Sequence, residues 1–171
     1  MNRRILSGRI ALLLAVLLAP LVSAAAPKSI ALVELDYRDT SGEPQDQSEQ
    51  HTAYLQLFMK TLAEDLEASG EFVVVPIECD PAPCSVDATD SQTLLSAAKR
   101  SGAKLMLYGG VHKVSTLIQF VKVQVIDVEQ DKSLMSESMS FRGDDERAWL
   151  KLEKFLAKQV VEKVGAKSGD E

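Results

Sequence analysis

Apolar and polar positions fall into blocks along the chain, and their period changes near its middle. Ser29 to Asp36, SIALVELD, is a nearly continuous apolar run rich in branched side chains, the pattern of a strand buried on both faces. Tyr37 to Gln50 is polar and contains Gly42 and Pro44, so it reads as a loop leading into a helix. From Tyr54 to Leu66 the apolar side chains Tyr54, Phe58, Leu62 and Leu66, flanked by Leu55 and Met59, recur at the helical interval. That spacing predicts a helix with one buried face, closed by the left-handed position open to Gly70. Phe72 to Ile77 returns as a strand. Ser91 to Ser101 predicts a short helix ending at Gly102, and Lys104 to Val111 a further strand containing Gly109 and Gly110. Two helical crossovers between strands imply parallel pairing with helices laid on the sheet.

Beyond that point the period becomes two. Val121, Val123 and Val125 alternate with Lys122 and Gln124 within Leu117 to Val128, and Ser133 to Phe141 follows the polar turn EQDK. This predicts a hairpin with one face on the core and the other partly wet. Trp149, Leu152, Leu156 and Val160 then recur at three- and four-residue steps, with Phe155 beside them, so a last helix begins within FRGDDERAW. Gly143 permits a sharp exit from the strand, Asp144 is placed to cap free backbone N–H groups, and Asp145 and Glu146 favour the positive end of the helix dipole. The expected fold is α/β, a single-domain mixed β-sheet with helices packed on it, in the order β-α-β-α-β-β-β-α over residues 28–164, followed by a polar tail at 165–171.

The amino-terminal 26 residues stand apart. Arg3, Arg4 and Arg9 precede an apolar core from Ile10 to Ala19, and Val22-Ser23-Ala24 supplies a cleavage signal, so the segment reads as a secretory leader. Its apolar core spans about ten residues, short of the roughly 20 needed to cross a bilayer, so no stable membrane insertion is expected after cleavage. No cysteine lies at the junction to take a lipid. The expected location is the periplasm. Of the 19 Lys and Arg residues three fall in the leader, which leaves 16 against 25 Asp and Glu, a net charge of −9. Nucleic acid is therefore not an expected partner, because binding it rests on many basic contacts to phosphate.

An exported chain meets an oxidising compartment, and Cys79 and Cys84 in IECDPAPCSVD are expected to pair as a disulfide that clips the loop. A redox-active pair is the sharper alternative, yet four residues including Pro81 and Pro83 separate the thiols where the usual motif has two. His51 and His112 with these cysteines are the soft or borderline metal ligands in the chain, but their separations match no standard zinc signature. The acids Asp36, Asp39 and Glu43 do not follow a calcium loop's spacing and read as a solvated loop. Ser115 lies three residues from His112, without the G-x-S-x-G elbow of a hydrolase, and Gly109-Gly110 lacks phosphate-loop spacing. No catalytic residue and no cofactor are implied.

The element order, with GGVHKVSTLIQFVKVQVIDV and SMSFRGDDERAW, resembles the amino-terminal domain of TolB and an uncharacterised periplasmic family within that group. The family's pattern runs G-x-x-x-K-V-S-N-L-I, a strand ending D-V, then R-G-N-T-x-x-S-W. Lys113, Val114, Ser115, Leu117, Ile118, Asp127, Val128, Arg142, Gly143 and Trp149 fall on it, over a likeness that spans most of residues 28 to 164. Thr116 and Asp144 stand where the family has asparagine, Asp145 where it has threonine and Ala148 where it has serine. The family's hairpin glycine is also missing, with Asp131 nearby. The resemblance implies an assembly or interaction role. The leading expectation is a non-enzymatic accessory module that binds a cell-envelope protein or a small anionic ligand near Lys113, Ser115, Arg142, Asp144 and Trp149, with the two turns bringing Lys113 and Arg142 together. Metal handling or thiol redox is the alternative. Against a site there, Lys113 reads as a solvated loop residue, Arg142 as a partner of Asp127 or Asp145, and Trp149 as core.

Overall fold

The computed structural model describes residues 26–80 and 83–165; the expected leader, apart from Ala26, and the tail beyond Gly165 lie outside them. The apolar run at the start forms β1 (Lys28–Leu32), buried on both faces at Ile30 and Ala31, and a second, half-exposed strand β2 (Asp36–Asp39) follows it. Both lie parallel to one edge of β4 (Leu105–Lys113), β1 beside Leu105–Leu107 and β2 beside Gly110–Lys113. Between them Glu34 turns aside to bridge Ser85 in the cysteine loop. The polar segment expected to be loop from Tyr37 is thus strand as far as Asp39. Its backbone groups are paired by β4, which overrides the low strand propensity of DYRD.

Helix α1 (Ser48–Ala68) begins six residues before the first apolar position of its stripe and leads to β3 (Phe72–Val75), the edge beyond β1. Helix α2 (Ser91–Arg100) is capped by the Asp90 carboxylate, which accepts from the N–H groups of Gln92 and Thr93. The antiparallel ribbon β5 (Ile118–Asp127) and β6 (Lys132–Arg142) completes a sheet ordered β3-β1-β4-β5-β6. In the ribbon's turn Asp131 has a φ of 50°, the left-handed conformation that favours glycine. Helix α3 (Glu146–Val160) follows and runs into a π-turn at Val161–Gly165.

Two cores flank the sheet. On one face α1 and α3 bury Ile30, Leu107, Val111, Val121, Val123 and Val125 against Phe58, Leu62 and Trp149. On the other, α2 and the cysteine loop cover Ala31, Val33, Met106 and Ile126. The alternation of β5 dictates this division, since successive side chains point to opposite faces. Because α2 is short, its cover stops there. Among the described residues no helix covers the same face further along β4, β5 and β6.

Candidate interaction site

Lys113 ends β4 on the helix-covered face, and its side chain is fully buried. A buried ammonium needs partners, and four residues supply them. Its Nζ donates to Asp144 Oδ2 at 2.5 Å and to Glu43 and Gln47, with Asp39 Oδ2 at 3.9 Å. Asp144 Oδ1 in turn takes His51 Nε2 at 2.8 Å and Gln119 Nε2 at 3.1 Å, and Gln119 also donates to the Gly143 carbonyl at 2.9 Å. One lysine and one aspartate therefore tie together the ends of β4, β5 and β6 and the starts of α1 and α3.

Charge follows geometry here. Burial works against a charged Lys113, yet the hydrogen bonds and charges of Asp144 and Glu43 outweigh it and hold the ammonium's pKa above its ordinary value. Asp144 shows the converse: burial favours its neutral form, but bonds from Lys113 and His51 keep its carboxyl below the usual range. At Asp39, burial is again outweighed, by hydrogen bonds from Ser41 and by the Lys113 charge, and the pKa is lowered. Tyr37, on β2, is pushed well upward by burial first and then by Asp144, Asp39 and Glu43. Its ring stacks on His51 at 4.5 Å and lies 6.0 Å from Trp149, which Phe58 and Phe141 meet edge-on. The polar network thus sits on an aromatic floor. Three buried polar atoms on this floor and its rim, Tyr37 Oη, Gln119 Oε1 and Trp149 Nε1, have no hydrogen-bond partner among the described residues.

The residues singled out by the sequence separate into two groups. Lys113, Asp144 and Trp149 come together inside the fold, Trp149 being 1% exposed. Asp144 does not cap α3 as expected: Lys113 and His51 claim its carboxylate, and Asp145 caps instead by accepting from the Ala148 N–H at 2.8 Å. Nor are Asp39 and Glu43 merely solvated, since both turn toward Lys113. Arg142 does not join Lys113. It pairs across the ribbon with Ile118, whereas Lys113 pairs with Gln119, and adjacent strand residues face opposite sides of the sheet. Among the described residues Arg142 forms no ion pair, with Asp127, Asp145 or any other acid. Ser115 holds the β4–β5 turn, its Oγ accepting from the Ile118 N–H at 3.1 Å. His112 bonds Thr40 Oγ1 at 2.7 Å, and Cys79 and Cys84 form a disulfide. Among the described residues no group of three or more His, Cys, Asp or Glu side chains could hold a metal ion.

Sequence reading missed Tyr37, Gln47 and Gln119, and weighed His51 only as a metal ligand. Signals for three existed. Tyr37 continues the period-two alternation from Leu35, His51 sits seven residues before Phe58 on the same helical stripe, and Gln119 lies in phase with Val121 and Val123.

On the opposite face, beyond the reach of α2, the sheet is open. Arg38 of β2, His112 of β4 and Lys122 of β5 border a depression of about 380 Å³ whose floor is Tyr108 and Gly110 and whose rim includes Val86. Phe120, opposite His112, is 44% exposed, and Leu117 at the ribbon's end 64%. Asp36 and Asp87 also border the depression, Asp36 accepting from the Asp87 N–H at 3.1 Å.

A six-stranded mixed sheet with α1 and α3 on one face and α2 on part of the other is a TolB-like α/β fold, and in this chain a lysine–carboxylate tie closes one end of it. The chain belongs to the family described as Protein of unknown function (DUF2380), which matches residues 28–161. No curated protein matches it in sequence. Among solved structures it is similar to lipoprotein GNA1162 from Neisseria meningitidis, at 17% identity and a TM-score of 0.52, over 80% of this chain and 99% of that one. The PelC dodecamer from Paraburkholderia phytofirmans matches with 18% identity and a TM-score of 0.51, over 85% and 92%. TolB from Acinetobacter baumannii matches at 14% identity and a TM-score of 0.50, over 81% of this chain but 28% of TolB. At these identities the likeness is one of fold.

Proposed function

We propose that the chain is a non-enzymatic interaction module of the periplasm that binds a cell-envelope protein or a small anionic ligand on the open sheet face. The observation that carries this reading is the cationic and apolar character of that face in an acidic protein. Arg38, Lys122 and Arg142 share it with His112 and with the half-exposed Phe120, against two acids, Asp36 and Asp87, although acids outnumber bases over the chain by 25 to 19. Exposed apolar side chains rimmed by charge are the usual composition of a protein-binding surface. Of the residues pointed to by the sequence, Arg142 and Ser115 serve this surface from its end, while Lys113, Asp144 and Trp149 hold the turns that shape it. The leader expected at residues 1–26 supports the location.

The test is a photo-crosslinking amino acid placed at Phe120 in cells, with and without the paired charge reversal Lys122→Glu and Arg142→Glu. Adducts that vanish on charge reversal, with circular dichroism unchanged, support the reading. Adducts that persist unaltered overturn it.

A further inference from the structure

Among the described residues outside the site above, one titratable side chain is buried with nothing to bond. Glu153 projects from α3 among the side chains that meet α1; it is 1% exposed, and its Oε1 has no hydrogen-bond partner. Its neighbours do not compensate. Asp65 of α1 adds like charge, and Thr61 and Glu64 of the same helix line the groove at whose edge Glu153 lies. On its own helix Lys154 is the one cation that draws it toward ionisation, with Arg147 and Lys151 further along the groove. The other elements packed on α3 offer no relief: Glu137 of β6 is paired with Lys163, and Glu162 with Lys158.

From this placement we infer that Glu153 makes the docking of α3 on α1 responsive to pH: protonated, it lets the helix pair close, and ionised, it draws water into the groove and loosens that pair. The device sits on the helix-covered face and does not depend on the reading of the open sheet face. Burial first, then the Asp65 charge, push the Glu153 carboxyl up to about 7, so the change falls near neutrality. The sign is that of a raised carboxyl. Its stabilising contribution is complete below the unfolded value of about 4.3 and is lost as pH rises through about 7.

Two measurements on the mature chain with its disulfide intact test this. Carbon-13 NMR of the side-chain carboxyls follows Glu153 directly, and a titration midpoint near neutrality is expected; a midpoint below about 5 overturns the inference. Thermal melting between about pH 5.5 and 8.5 should show the wild type losing about 5 °C more than Glu153→Gln, the difference isolating Glu153 from every group the two proteins share. Equal slopes for the two proteins overturn it. Glu153→Met, an apolar replacement of similar length, provides a second flat reference, and the NMR titration stands whether or not either variant folds.

Discussion

Lys113 Nζ lies 2.5 Å from Asp144 Oδ2, an ion pair closed inside the protein between the last residue of β4 and the residue that follows Gly143 at the exit of β6. The pair spans 31 positions of sequence, and the hairpin brings its two ends together. Glu43 and Gln47, 70 and 66 positions away, complete the shell of the lysine and fix the loop that enters α1. Through this contact a surface turn acquires a defined shape: Asp144 cannot swing outward without leaving a buried ammonium short of a partner.

Removing the lysine leaves the Asp144 and Glu43 carboxylates without the cation they share. Lys113→Ala is expected to cost about 3 kcal/mol of unfolding free energy in urea denaturation, the range for breaking a buried pair from one side. Lys113→Met keeps the aliphatic stem and should cost less. A loss under about 0.5 kcal/mol for Lys113→Ala would place the ammonium in water rather than in the fold.

The same pair sets an acid limit. Asp144 and Asp39 have lowered pKa values, so their contribution is present above the unfolded value of about 3.9 and is lost as pH falls through their folded values. Lys113 is raised, and its contribution holds below about 10.4 and is lost as pH rises through its folded value. Acid unfolding followed by Trp149 fluorescence should therefore steepen below about pH 4 in the wild type, and Asp144→Asn should flatten that limb.

How much of this was legible in the sequence depends on the range of the interactions. The inward face of α3 was readable because Trp149, Leu152, Leu156 and Val160 repeat at the helical period, and the same holds for Val121, Val123 and Val125 at the strand period. Local chemistry was readable as well: Gly143, with a φ of 106°, makes the exit turn that its position predicts. The fate of Lys113 was not readable, since whether a lysine is solvated or enclosed depends on residues some 70 positions away that no periodicity connects to it. Asp144 was misassigned as a cap for the same reason. Two adjacent aspartates compete for the helix start, and the distant lysine decides which one is free to cap. Strand β2 was missed because polar DYRD is held by backbone pairing with β4, a tertiary effect with no local signature.

The Cys79–Cys84 disulfide closes a loop of five-residue separation, and Cys84 packs in the smaller core with Leu94 and Leu95. Replacing both by serine should remove about 2 kcal/mol, part from the unfolded chain's added freedom and part from the lost contacts of Cys84. Far-ultraviolet circular dichroism should stay unchanged, because α2 and β4 do not depend on the clip for their hydrogen bonds. Denaturation with and without reductant measures the difference.

Trp149 meets Tyr37, Tyr54, Phe58 and Phe141 and lies under the ion pair. Trp149→Ala is expected to cost about 3–5 kcal/mol through the cavity it leaves. Trp149→Phe should retain most of that packing. In the native wild type the indole emission should be blue-shifted, moving to the red on unfolding; a native emission already typical of water would contradict its burial.

Gly109 and Gly110 separate by mechanism. A Cβ built on Gly109 would lie 2.1 Å from the Lys122 carbonyl oxygen, a backbone atom that cannot move without parting β4 from β5. One built on Gly110 would lie 3.1 Å from the Asp36 carbonyl oxygen, a gap that a few tenths of an ångström would relieve. Gly109→Ala is therefore expected to destabilise by more than about 3 kcal/mol and to reduce soluble yield, as overpacking against main chain does at the upper end of its range. Gly110→Ala should cost about 1 kcal/mol or less, with part of the strain offset by the lower backbone entropy of alanine in the unfolded chain. Urea midpoints of the two variants, compared side by side, decide the matter: equal costs would mean that the β4–β5 register is not held as tightly as the pairing of Gly109 with Val123 requires.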